Sequence, residues 1–466
     1  MASPALSVGE VIDQRPLGGF QIWTIVLCGV VLTLDGYDGL VMGFTTTPIA
    51  NSTHIALPAF GPILSASLLG LMIATLATGP IADRLGRKWV IIISELVFAI
   101  FTLLTGRAHT YEELLSYRFL TGLGLGGAMP NVVALASEYS PKRLVPVVVS
   151  ILFAGMPLGG TACGVVARQL LATRGWRSVF YVGGVVPIVV ALVLVLGLPE
   201  SARFLAARKK DPHRIARILA RVAPGYDPAR VDFSKTTDEV ARKGVPVKHL
   251  FTEGRAAGTL LLWIPNFMNL LLIYFINSWL PTLLKQAGMT LSQGVLAASV
   301  VSFGGIFACL LEGSLINAAG AFRVLLWEFL LASLSMVGVG FFMHPFPLAL
   351  AVAFVMGFLV IGTQAGLNAL AAKFYPTPIR STGVGWALGV GRVGSVVGPI
   401  VGGLMIGAGW SPKEIIVSGA ICGVLGWLAI WLSKFLRGVS TAYQAEPTLY
   451  GAALGPAAEL NTRRSG

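Results

Sequence analysis

Two carboxylates interrupt an apolar run in this chain. Asp35 and Asp38, in the tetrapeptide Asp35-Gly36-Tyr37-Asp38, lie inside the stretch from Ile22 to Phe44. A charged side chain at the centre of a bilayer-spanning helix costs about 2.5 to 3.5 kcal/mol on insertion scales, so such residues usually have a use. Three residues apart, the two acids share roughly one face of a helix, where they can share a proton, hold a cation or pair with a buried base. Arg118 and Arg392 are set in apolar sequence too. A guanidinium offers a planar fork to a carboxylate, whether that of a side chain or of an anion being carried.

The elements that must position these groups are membrane helices. Hydrophobic residues make up 55% of the chain and charged residues 12%, about half the charged share of soluble domains. Stretches near the ~20 residues that cross the hydrocarbon layer predict twelve spans: 21–44, 58–81, 89–107, 113–138, 145–171, 178–198, 258–284, 293–318, 323–343, 346–372, 383–408 and 414–436. The predicted fold class is therefore an all-α membrane protein. Many spans are rich in glycine and proline, which membrane bundles tolerate and use for close helix contact.

The placement of charge gives orientation. The formal net charge is +13, and 26 of the 34 lysines and arginines fall in or beside the N-terminus, the loops after even-numbered spans and the C-terminal tail, against six on the other side and two deep in spans. By the positive-inside rule both termini are cytoplasmic, in a multi-pass protein of the cell's inner membrane. The largest basic block, Arg208-Lys209-Lys210 with Arg214, Arg217 and Arg221, reads as a solvated linker with an interfacial helix and not as a nucleic-acid site. No removable signal peptide is evident in the first twenty residues. Cys28, Cys163, Cys309 and Cys422 are scattered through four spans, as packing residues without ligand-like spacing. No metal site, cofactor or nucleophile motif emerges, and the chain is not expected to be an enzyme.

The chain repeats itself at half its length. Ala134-Leu135-Ala136-Ser137-Glu138-Tyr139-Ser140-Pro141 returns as Ala369-Leu370-Ala371-Ala372-Lys373-Phe374-Tyr375-Pro376, and Gly79 to Gly86 lines up with Gly313 to Gly320. Six spans are thus followed by six related spans in the same orientation, a parallel repeat that builds two six-helix bundles with a substrate site between them near the midplane. The expected units are an N-terminal bundle over 1–198, a central loop over 199–257, a C-terminal bundle over 258–437 and a tail over 438–466. Gly122-x-Gly124-x-x-Gly127 and Gly389-x-Gly391-x-x-Gly394 match a dinucleotide fingerprint. Neither follows a strand, so both read as helix-packing glycines.

Gly79 to Lys88 (GPIADRLGRK) and Arg118 to Gly127 (RFLTGLGLGG) resemble two signatures of the major facilitator superfamily. DGYD at 35–38, GGAMPN at 126–131 followed by Glu138-Tyr139, and the run from Leu367 to Gly394 resemble the aromatic acid:proton symporters more sharply, over about residues 7 to 437. The resemblance implies the major facilitator fold and uptake of benzoate-like or hydroxybenzoate-like anions with protons, feeding aromatic catabolism. It also implies that the DGYD acids and the span-four arginine are required.

Depth along the helices supports that chemistry. Span one enters from the cytoplasm, so at ~1.5 Å per residue Asp35 and Asp38 lie roughly 20 to 25 Å in, in the outer half. Span four enters from outside, with Arg118 a turn or two along it. Arg118 can pair with an aspartate at rest and release it on protonation or on arrival of a carboxylate, or the pair can be a permanent brace of the outer half. Arg392 lies near the midplane of span eleven and is the second candidate carboxylate anchor, favoured by its depth. Gln364 and Asn368, four apart on span ten, share a face, where they can bind a ring substituent or bond between helices. Trp386 or Tyr37 can stack on an aromatic ring.

Asp83, Arg84, Gly86, Arg87 and Glu138 fall at the cytoplasmic mouth between spans two, three and four and read as gate residues. The second half carries Asn317 and Ala318 instead. That leaves Glu312 either to replace the lost acid or to meet Arg323 at the mouth. Moving one anion into a negative interior costs about 2.3 kcal/mol per 100 mV, which one co-transported proton cancels. The expected partners are a small aromatic acid, the proton and the lipid bilayer, with the protein a monomer. A proton-coupled exporter, or a symporter of another small organic anion, is the competing function.

Overall fold

The computed structural model describes residues 8–13, 15–207, 212–222, 247–252, 254–342, 345–376 and 379–435. Positions 208–211 and 223–246 of the predicted central loop, including Arg208-Lys209-Lys210, and the predicted tail 438–466 lie outside the described residues.

Twelve helices are long and apolar enough to cross a membrane. They are α1 (Gly19–Thr53), α2 (Phe60–Leu85), α3 (Arg87–Thr105), α4 (Tyr111–Glu138), α5 (Val145–Thr173), α6 (Trp176–Gly197), α7 (Ala256–Gln286), α8 (Leu291–Ala319), α9 (Ala321–Phe341), α10 (Phe346–Phe374), α11 (Arg380–Gly407) and α12 (Pro412–Ser433). Among the described residues there is no strand. Short helices at Val8–Asp13, Ala202–Ala207 and Pro212–Val222 lie outside this set.

Local chemistry sets the helix ends. Thr110 with Glu113, Thr290 with Gln293 and Ser411 with Glu414 form capping boxes that open α4, α8 and α12, each hydroxyl accepting from the backbone N–H three residues on. Gly86 at φ +94° and Gly320 at φ +82° divide α2 from α3 and α8 from α9, a backbone conformation that glycine adopts without strain. α1 runs nine residues past the predicted end of span one at Phe44. Its extra turns carry threonines that satisfy themselves, Thr45 donating to Val41 O at 2.6 Å and Thr46 to Met42 O at 2.7 Å. Asp35 and Asp38 therefore stand in the middle of α1 and not in its outer half.

The twelve helices form two six-helix bundles, and the sequence repeat is visible in their contacts. In the first bundle α1 packs on α5, α2 on α4, and α3 on α4 and α6; in the second α7 packs on α11, α8 on α10, and α9 on α10 and α12. The same glycines serve both halves. Gly122 lies against the backbone of Ser67 as Gly357 lies against that of Val301, and Gly70 meets Phe119 as Gly304 meets Phe354. A Cβ at any of these would overlap a neighbouring helix, so hydrogen as a side chain is what lets the backbones touch. Of the fingerprint glycines, Gly122, Gly124, Gly127, Gly391 and Gly394 sit at helix contacts, whereas Gly389 faces open space.

The bundles meet along α5 with α8, α2 with α11, and α1 with α7. The named contacts lie toward one end: Gly43 on Asn277, Gly61 on Pro399, and Gly164 on Ser299, with Ser65 donating to Val396 O at 2.6 Å. At the opposite end, marked by Arg84, Arg87, Lys88 and Lys142, the same helices part. Gly79 on α2, Gly313 on α8 and Gly385 on α11 have no neighbour where a Cβ would stand, and Leu76 and Leu85 of α2 are exposed. The space between the bundles is thus closed at one end and open at the basic end.

Candidate functional site

α1, brought into close contact with α5 by glycine, carries its acids inward. Gly36, between the two aspartates, lies against the backbone of Met156 on α5, which fixes the rotation of α1 and turns both carboxylates away from lipid. Asp38 is 3% and Arg118 1% exposed. Arg118 of α4 grips Asp38 with both terminal nitrogens, Nη1 donating to Oδ1 at 2.9 Å and Nη2 to Oδ2. The predicted approach of these charges is present, as a two-pronged ion pair wholly within the first bundle. Burial makes such a pair expensive to break from one side only, since the remaining charge is left dry.

Asp35 has a different environment. It is buried, and its Oδ2 has no hydrogen-bond partner. Asp38 and Arg392 are within electrostatic reach of it, and so is Glu95, a buried acid of α3. Arg392 comes from the second bundle, in mid-α11, so the two halves of the chain face each other here through an acid and a base. The Arg392 guanidinium is only loosely held: Nη1 donates to Tyr274 Oη at 3.4 Å and Nη2 to Met129 Sδ at 3.4 Å. Neither contact neutralises its charge.

Beside Arg392, four amides tie α7 to α10. Asn269 Nδ2 donates to Gln364 Oε1 at 3.1 Å and to Val360 O at 3.2 Å, while Gln364 Nε2 donates to Asn266 Oδ1 at 3.3 Å and Asn368 Oδ1 at 3.4 Å. Gln364 and Asn368 thus take part in bonding within and between helices. Asn266 borders the arginine's helix, its backbone carbonyl 3.2 Å from where a Cβ on Gly391 would lie.

The two predicted aromatics are not brought to this place. Tyr37 Oη donates to Val179 O at 2.9 Å, inside the first bundle. Trp386 is 45% exposed and stacks on Trp263 with ring centroids 6.0 Å apart. It shares an exposed stripe with Val393 and Leu404, roughly 120° around α11 from Arg392 at ~100° per residue.

At the basic end Arg87 pairs with Glu138, and Ser201 Oγ donates to the same carboxylate. Glu200 caps α3, accepting from Arg87 N at 2.9 Å and Lys88 N at 3.2 Å, and Tyr139 Oη donates to Glu200 O. The Arg87–Glu138 pair belongs to the first bundle and is intact while the basic end stands open. Asp83 and Arg84 are exposed at the end of α2, and Gly86 makes the turn that follows. Glu312 neither replaces a gate acid nor meets Arg323. Its carboxyl turns into the bundle toward Glu328 of α9.

Glu95, Glu328, Asn266, Asn269, Tyr274 and Glu200 were not singled out by the motifs. Glu95 and Glu328 carried a usable signal, each a lone acid in an apolar span.

Residues 26–387 match the family model described as Major Facilitator Superfamily. The chain is 35% identical to the 4-hydroxybenzoate transporter PcaK of Pseudomonas aeruginosa, over 92% of this chain and 95% of that one. It is 36% identical to a gallate transporter of Pseudomonas putida, over 87% and 90%. The fold is shared with the xylose transporter XylE from E. coli in a partially occluded inward open conformation, at a TM-score of 0.71 and 17% identity, covering 90% of this chain and 98% of XylE.

Proposed function

The chain belongs to the Major Facilitator Superfamily, among its aromatic acid transporters, and from that premise we propose that it imports a benzoate- or hydroxybenzoate-like carboxylate by proton symport. It is a transporter and not an enzyme. In this reading the basic end faces the cytoplasm across the inner membrane, both termini lie on that side, and the protein works as a monomer with the proton as coupling ion and no cofactor. The two bundles, 1–198 and 258–437, rock about the central site, with 199–257 as connector and 438–466 as tail.

The observation that carries the reading is the contrast between the two arginines. Arg118 has its charge met by Asp38 through both terminal nitrogens, whereas Arg392 has only a phenol and a thioether. Arg392 therefore offers its fork to the carboxylate of the cargo. That anion comes within range of Asp35, and two negative charges beside one guanidinium repel. A proton on Asp35 removes the repulsion, so anion and proton favour each other's binding, and this mutual preference is what couples them. Asp38 and Arg118 hold α1 and α4 together and keep Asp35 at its depth. The amides beside Arg392 supply donors and acceptors for a ring hydroxyl, which would explain a preference for hydroxybenzoates.

The test is uptake of labelled benzoate, 4-hydroxybenzoate and gallate by purified protein in liposomes under an imposed pH gradient. Uptake abolished by R392Q, and decoupled from the gradient by D35N, is expected. R392Q transporting at the unmodified rate would overturn the assignment of the anchor, and D35N still accumulating substrate against its gradient would overturn the assignment of the coupling acid.

A further inference from the structure

The second bundle buries a carboxyl pair that the proposed cycle does not use. Glu312 of α8 and Glu328 of α9 are 2% and 4% exposed, and their four side-chain oxygens are buried with no well-formed hydrogen bond, their nearest polar neighbours being each other and the Thr363 hydroxyl. They converge on one niche. A Cβ placed on Gly362 of α10 would lie 3.0 Å from Glu328 Oε1 and 3.1 Å from Glu312 Oε2, and one on Gly366 would lie 2.9 Å from Glu312 Oε1. Two glycines a helical turn apart thus leave the room that the carboxyl groups fill. From α10 the niche is also faced by Thr363, whose hydroxyl donates to Leu359 O at 2.7 Å. From α8 Cys309 stands within electrostatic reach of Glu312. The bases of the neighbouring helices, Arg323, Lys373, Arg255 and Lys285, sit near helix ends, and among the described residues none pairs with either acid.

The repeat shows that the frame does not need these acids. Counting back by the offset of the two halves, Glu312 corresponds to Thr78, Glu328 to Ser94 and Gly362 to Gly127. Thr78 and Ser94 face Gly127 in the first bundle just as the two glutamates face Gly362 in the second. Hydroxyls pack the same joint, so the carboxyls are an addition specific to the second bundle. Two unpaired charges in such a place would cost several kcal/mol each, and a proton held between the two removes most of that cost. Both residues lie seven positions from the basic end of their helices, about 10 Å at ~1.5 Å per residue. Gly313, next to Glu312, faces open space at that end.

We infer that Glu312 and Glu328 form a second proton-binding site, which carries a coupled proton in addition to the one at Asp35. This rests on the symport reading above. With two protons per monovalent anion, each cycle moves net positive charge inward and is driven by the membrane potential as well as by the pH gradient.

The experiment compares the unmodified protein with E312Q/E328Q and with E312T/E328S, the latter copying the residues of the first bundle. Three quantities are measured: exchange of labelled for unlabelled 4-hydroxybenzoate at equal pH, accumulation driven by a potassium diffusion potential, and the infrared carbonyl stretch of protonated carboxylic acid. The unmodified protein should accumulate substrate in response to an inside-negative potential. Both variants should still exchange, should lose the infrared band of the pair, and at 100 mV should accumulate roughly 50-fold less, the effect of one charge at ~2.3 kcal/mol. Variants that keep potential-driven accumulation would overturn the proposal, as would an unmodified protein indifferent to potential, or a potential response that requires sodium in place of protons. If the unmodified protein exchanges none of the aromatic acids, the substrate reading fails separately. The infrared comparison then still decides the pair, since absence of a protonated-carboxyl band that depends on Glu312 and Glu328 overturns it.

Discussion

Thr47 and Thr282 stand 235 residues apart in the chain and meet hydroxyl to hydroxyl at 3.3 Å across the bundles. That separation is within one residue of the repeat offset, so the contact joins nearly equivalent positions close to the pseudo-two-fold axis relating the halves. Gly43 against Asn277, one turn away, stands 234 apart. If this end must part for cargo to enter, bridging it should arrest the cycle. T47C/T282C, in a background lacking the four native cysteines, should lose at least tenfold of its uptake on treatment with a short thiol cross-linker and recover it when a cleavable linker is reduced. Full uptake by the cross-linked protein would mean that this contact does not open.

The Asp38–Arg118 pair should behave as a unit. D38N leaves a dry guanidinium and should lower stability by about 3 to 5 kcal/mol, as breaking a buried pair from one side does. D38N/R118Q should recover part of that loss in a double-mutant cycle read by thermal unfolding in detergent. A double variant no more stable than D38N would argue that the pair contributes nothing jointly.

Glycine substitutions should separate packed from open positions. G122A and G357A force a methyl against a helix backbone and should each destabilise by about 1 to 3 kcal/mol, with similar values because the joints are equivalent. G389A, which meets open space, should be neutral or gain up to about 1 kcal/mol from helix propensity. Thermal unfolding of the three variants checks this, and a G389A as damaged as G122A would contradict the open space between the bundles.

Trp386 offers a control on the site. Its place beside Trp263 on an exposed stripe of α11 means that W386A should leave the concentration dependence of uptake within twofold of the unmodified protein. A tenfold weakening would put the indole back at the cargo.

Much of this architecture was legible because the bilayer imposes a simple rule, that length and apolarity together make a span. The exception at α1 is instructive. Apolarity fades after Phe44 into Thr45, Thr46 and Thr47, yet the helix continues, since threonine returns its hydroxyl to the preceding turn and so remains compatible with a buried helix. The duplication was legible from aligned fragments, and the packing glycines obey it. That Arg118 meets one of the two aspartates was legible from depth on helices of opposite direction, but not which one. Direction around the helix did not follow. Trp386 and Arg392 differ by six positions on a helix whose every side is apolar, so nothing in the pattern tells lipid from cavity. Glu95 and Glu328 escaped notice as lone acids outside any motif, although the cost that singles out Asp35 applies to them equally.

The closed end includes a run of small parts, Gly43, Thr47, Gly61, Ser65, Gly160 and Gly164 on one side with Thr282, Ser299 and Ser302 on the other, set within an apolar core that joins the two bundles and includes Phe44, Phe60, Ile276 and Leu280. A seam of interlocked leucines would expose a large dry surface at every separation, at about 25 cal/mol per Å². Hydroxyls and backbone carbonyls instead find water as soon as they part, and glycines have little to expose. Where the joint is made this way it seals by fit and adds little adhesion of its own to the apolar core around it, which suits a machine that must reopen the same joint at each turnover.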